Sequence, residues 1–147
     1  MILYDVIDYI QKCCDEDADF EEDVKVLEAY KYSHTPKSTE IQVQVIDHSE
    51  FVRFTTFEDG KIYTSPLQFN VYGTQMEIGG EMVSAQKCAY IFAQKIINWL
   101  NVNDLKAAIP EIVSARNGTY ASSRPLVDVG TVMYCSIVRI DLYLESN

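Results

Sequence analysis

Leu3, Val6, Ile7, Ile10 and Cys14 return at steps of three and four residues, with Asp5, Asp8, Gln11 and Lys12 between them. That spacing predicts an amphipathic N-terminal helix ending where an acidic run begins. VKVLEAYKY, residues 24–32, fits either period at Val24, Val26 and Ala29 and is read as strand. SHTPKST, with Pro36, is turn chemistry and predicts a loop. EIQVQVI then alternates through Ile41, Val43 and Val45, FVRFTTF follows the polar DHSE, and EDGK at 58–61 supplies a reversal into KIYTSPLQFNVYG. These segments predict an antiparallel meander. Leu67, Phe69 and Val71 face one side of its last strand, while Gln68, Asn70 and Tyr72 face the other. Pro66 within it predicts an edge or a bulge, because proline donates nothing to a ladder.

Met82, Ala85, Cys88, Ala89, Phe92, Ile96, Trp99 and Leu100 mark the strongest helical pattern, about five turns at 3.6 residues each. Residues 103–109 add a short helix before Pro110. EIVSARNGTYA carries a strand around Ile112 and Val113 and an Asn117-Gly118 turn, and RPLVDVG, 124–130, reads as irregular. TVMYCSIVRIDLYLE closes the chain as a long strand, with Val132, Tyr134, Val138, Ile140, Leu142 and Leu144 on one face and Arg139, Asp141 and Glu145 on the other. Such a strand needs a neighbour along its whole length. The expectation is one α+β domain over 1–147: an antiparallel, mostly meander β-sheet with one long helix packed on it and an N-terminal helix. Neither an internal repeat nor a Pro/Gly/Ser-rich linker argues for a second domain.

Composition adds little until charge is considered. A hydrophobic share of 48% and a charged share of 23% are those of an ordinary globular chain, and 147 residues bury a core without disulfides or metals. Twelve basic residues stand against 22 acidic ones, a net charge of -10. Seven of the acids lie in DEDADFEED, residues 15–23, and setting them aside leaves 15 against 12. Such a run repels phosphates and anionic membrane, which argues against a nucleic-acid or membrane binder. The start MILYDVIDYIQ lacks a basic leader, and no apolar run reaches the length of a membrane span. Cys13, Cys14, Cys88 and Cys135 have no framework spacing and are expected as free thiols in a reducing compartment.

Candidate chemistry is sparse. GTQMEIGG, residues 73–80, puts glycines between strand and helix, yet it has no Lys-Ser/Thr ending and no GxGxxG unit, so it reads as a structural turn. Asp15, Asp17 and Asp19 match the first ligands of an EF-hand loop, but Phe20 stands where glycine is needed and Val26 where glutamate is needed. The run therefore reads as a solvated acidic loop, suited to docking on a basic partner if it has a role. His34 and His48 fall in turns with no nucleophile signature and no zinc-ligand spacing. No catalytic residue, cofactor site or metal site is expected. Ten tyrosines, among them Tyr63 and Tyr72, suit core edges or subunit interfaces.

YTSPLQFNVYG at 63–73, the helix around SAQKCAYIFAQKIINWL at 84–100 and the closing GTVMYCSIVRIDLYLE at 130–145 stand in an order that resembles the tail terminator, or head-tail joining, family of long-tailed bacteriophages. The resemblance covers most of the chain after residue 40, and the segments 15–23 and 24–39 have no counterpart in it. It implies a non-enzymatic virion protein, assembled in the host cytoplasm. Such proteins close as a homo-hexameric ring on the finished tail tube, stop its polymerisation and offer their other face to the head connector. DNA passes through the ring without specific binding. On this reading the outer-face residues Tyr63, Gln68, Asn70 and Tyr72 meet a neighbouring protomer or the major tail tube protein, and Asp15, Asp17 and Asp19 are candidate docking residues. Other readings are a different head-tail connector or minor capsid component, a small enzyme or ligand-binding domain with an inter-subunit pocket, and a dimeric interaction module.

Overall fold

The computed structural model describes residues 2–18, 24–28, 41–47, 54–57, 60–117, 121–128 and 131–146. A helix α1 (Ile2–Glu16) leads into strands β1 (Val24–Glu28), β2 (Ile41–Asp47), β3 (Phe54–Phe57) and β4 (Gly60–Gly73). A small hairpin, β5 (Met76–Ile78) and β6 (Glu81–Val83), precedes helices α2 (Ala85–Trp99) and α3 (Val102–Ala108). Strands β7 (Ile112–Asn117), β8 (Ala121–Asp128) and β9 (Thr131–Ser146) complete the order. The fold is α+β, with a mostly antiparallel main sheet ordered β1-β2-β4-β9-β7, β3 beside β4 and β8 beside β9.

The two long strands, β4 and β9, form the spine. They pair antiparallel from Lys61↔Ser146 to Gly73↔Tyr134. Alternation sends Leu67, Phe69 and Val71 to the same side as Val138, Ile140 and Leu142, and all six are buried. The register lines up Val45, Phe69 and Val138 in one row and Val26, Val43, Val71 and Ser136 in the next. Helix α1 lies on β1 and β2, α2 on β4 and β9, and α3 against β7. Their apolar stripes, Leu3, Val6, Ile10 and Cys14 from α1 and Cys88, Phe92, Ala93 and Ile96 from α2, join the inward strand residues in one core. Full burial of a side chain such as Phe69 or Phe92 contributes roughly 2–3 kcal/mol. Phe92 also meets Trp99 edge-on, with ring centroids 6.1 Å apart.

Local chemistry sets the element ends. Gly79 and Gly80, with φ of 60° and 83°, turn β5 into β6 in a conformation that L side chains avoid. Ser84 then caps α2 by accepting the Lys87 amide at 3.2 Å, and Asn101 caps α3 by accepting the Asp104 amide at 2.9 Å. Gly73 ends β4 where α2 crosses so closely that a β-carbon would stand 2.4 Å from the Ala89 nitrogen.

Several expectations need correction. The detail of one long helix is not confirmed: α2, expected at about five turns, has 15 residues, as many as the N-terminal α1. Met82 belongs to β6 and is 66% exposed, since the glycine hairpin keeps 81–83 extended and Ser84 starts the helix only afterwards. RPLVDVG is not irregular through 124–128: those residues lie in β8, which pairs with β9 from Ala121↔Ile137 to Asp128↔Thr131. The reason is the unmet backbone of β9, whose other edge is served by β7 only from residue 140 onward. The sheet departs from a simple meander in two places: β1 pairs with β2 in parallel, and β2 lies beside β4, with β3 occupying the far end of the same edge. Pro66 sits opposite Asp141 on one side; on the other it falls between the stretch of β4 that β3 covers, 60–63, and the stretch that β2 covers, 67–72. The missing donor is tolerated there.

Candidate functional site

The face of the main sheet turned away from the core is built by the alternate residues of the same strands. Gln68, Asn70 and Tyr72 project from β4 between the buried Leu67, Phe69 and Val71, and each is half-buried. Their cross-strand partners on β9 are Arg139, Ile137 and Cys135. Arg139 Nε donates to Gln68 Oε1 at 3.3 Å, and Gln68 Nε2 donates to Asn70 Oδ1 at 2.9 Å. Tyr72 continues the line, with its hydroxyl in hydrogen-bonding reach of Cys135 and Asn70. Burial pushes the Tyr72 hydroxyl up to about 12 and the Cys135 thiol up to about 11, so both stay neutral at physiological pH. The result is a strip of uncharged polar and aromatic groups anchored at one end by a guanidinium. Helices α1, α2 and α3 all pack against the buried face, and among the described elements none covers this one.

Three of the expected interface residues therefore stand together. Tyr63 belongs to β4, but only its backbone is placed. The acidic residues are elsewhere and are engaged within the chain: Asp15, in the last turn of α1, accepts from Gln11 Nε2 at 3.0 Å, and Asp17 pairs with Lys95 Nζ of α2 at 2.7 Å. Asp19, His34 and His48 lie outside the described residues. Arg139 and Cys135 were not singled out from the sequence. The alternation of β9 places Arg139 outward, but its meeting with Gln68, 71 positions away, depends on a register that no local pattern encodes.

A second feature lies in the helical layer. Helix α1 and the corner joining α3 to β7 bound an open groove of about 590 Å³, walled by Tyr9, Cys13, Ile109 and Pro110. The Tyr9 hydroxyl donates to the Trp99 carbonyl at 2.7 Å and ties α1 to the end of α2 beneath it. The rim is acidic, with Asp5, Asp8, Glu16 and Glu111 against Lys12. Burial raises the Cys13 thiol, with nearby Glu16 and Asp104 adding to the shift. A thiol so held is the reverse of an activated nucleophile. Among the described residues no group of three His, Cys, Asp or Glu side chains is placed to hold a metal ion. GTQMEIGG is a strand end followed by a hairpin, and the exposed Gly79 and Gly80 form its turn.

No protein-family model matches the chain, and no curated protein matches it closely enough to count as a relative.

Proposed function

We propose that this chain is a structural virion subunit that closes into a ring on the finished tail tube of a long-tailed bacteriophage, ends tube growth and receives the head connector. The observation that carries this reading is the sheet face that none of the described helices covers. A twisted sheet with one face in the core and an ordered polar, aromatic strip on the other suits association with a further protein surface. Ring closure requires a heterologous contact, in which one patch meets a different patch on the next copy. The order of elements that resembles tail terminators supplies the biological setting. A net charge of -10 agrees with a ring through which DNA slides, since like charge offers phosphates no neutralising contact.

Electron microscopy of the purified protein, alone and mixed with tail tubes, tests the reading. Closed rings, free or seated on one tube end, with tubes that no longer elongate, are the expected result. A protein that stays monomeric across concentration and leaves tube growth unchanged would overturn it.

A further inference from the structure

Charge is not spread evenly over the two sides of the domain. On the free sheet face Lys25 of β1, Arg116 of β7 and Arg139 of β9 are exposed, with the half-buried Asp141 beside the two arginines. On the helical side, the α1/α3 groove gathers Asp5, Asp8, Glu16 and Glu111 around Lys12, with Asp104 close enough to act on Tyr9 and Cys13. In a chain with ten more acids than bases, a cationic face is unexpected by composition. Its separation from the acidic groove makes the surface complementary to itself.

We infer that the occupant of the acidic α1/α3 groove is the cationic sheet face of a second copy of this chain, so that Arg116 and Arg139 of one protomer approach Asp5, Asp8 and Glu111 of the next. This assigns the two halves of the heterologous contact and rests on the ring reading above. The groove accepts aliphatic arginine stems along Tyr9, Ile109 and Pro110 while the acids meet the guanidinium ends. Because one patch lies on the sheet side and the other on the helical side, each copy uses both and the contact propagates from copy to copy instead of ending at a dimer, as the ring reading requires. Opposed rims also give selectivity, since two sheet faces or two grooves repel each other.

Charge reversal in both patches tests this. Light scattering of the wild-type chain at low ionic strength is expected to show a multiple of the 16.8 kDa protomer, falling toward one protomer as salt screens the contact. R116E/R139E and D5R/D8R are each expected to run as monomers with unchanged far-ultraviolet circular dichroism. An equimolar mixture of the two is expected to regain the wild-type mass, because each reversed face then finds a reversed partner. If the wild type assembles but salt and both double variants leave its mass unchanged, the ring stands and these two faces are not its contact. If the wild type is monomeric under every condition, and no ring forms on tail tubes, the inference falls together with the reading it rests on.

Discussion

A β-carbon on Gly73 would stand 2.4 Å from the Ala89 nitrogen and 2.8 Å from the Ala85 carbonyl oxygen, both backbone atoms of α2 that cannot rotate away. The helix answers this closeness with small residues at a spacing of four, Ala85, Ala89 and Ala93, all buried. Gly73→Ala must therefore lift α2 off the end of β4. We expect a loss of about 1–3 kcal/mol, read as a lower urea midpoint at unchanged slope. Ser136, one inward row along on β9, presents the opposite case. Its side chain is fully buried and its hydroxyl has no hydrogen-bond partner among the described residues. Ser136→Ala keeps the small volume and removes an unsatisfied group, so stability should hold or rise by roughly 1 kcal/mol in the same assay. A clear loss would mean that the hydroxyl has a partner, such as a buried water.

At the scale of elements, β1 shows how an exposed sheet edge is closed. It pairs with β2 on one side only, and on the other the Gln11 side chain of α1 acts as a strand partner: the Val26 amide donates to Gln11 Oε1 at 2.9 Å, and Gln11 Nε2 donates to the Val24 carbonyl at 3.2 Å. The Val24 carbonyl and the Val26 amide are thereby withdrawn from strand addition by another chain. Gln11→Leu keeps the size but leaves both backbone groups without the amide. The expected result is faster hydrogen exchange at Val26, with little change at Phe69 in the centre of the sheet, and a cost of about 1–2 kcal/mol. Nothing in the sequence marks Gln11 for this role, since it reads as one more polar residue between the apolar positions of α1. The alternating apolar positions of β2, β4 and β9 and the stripe of α1 were legible because burial on one face imposes a period that survives in any context. Strand β8 was not: Pro125 and a polar start hide it, and it is a strand because β9 requires a neighbour there. Helical spacing likewise extended α2 back to Met82, whose position is decided by two glycines and a serine cap that hydrophobic period ignores. The candidate surface was half legible, with Gln68, Asn70 and Tyr72 placed by alternation and Arg139 and Arg116 brought to the same face only by long-range pairing.

For the whole molecule, buried thiols and phenols set the response to alkali. Burial pushes Cys88 and Cys135 up to about 11 and Cys14 up to about 12, each from an ordinary value of 9.0. A thiol whose folded value lies above its unfolded value keeps its proton longer in the native state. Below about pH 9 both states are protonated and the full stability is present; above it the unfolded chain loses protons that the native chain retains, and stability falls until the native thiols ionise in turn. Tyr9 and Tyr72, also raised by burial from 10.0, join the same decline one step later. We therefore expect the urea midpoint to be flat through neutral pH and to drop steadily from about pH 9 to pH 11. Cys14→Ala/Cys88→Ala starts from a lower stability because both side chains are buried, but it should lose stability more gently with rising pH. The slope is the diagnostic quantity, since a cavity shifts the whole curve without tilting it. An equally steep fall in the double variant would assign the alkaline transition to the tyrosines, or to repulsion among the chain's excess acids, and not to the buried thiols.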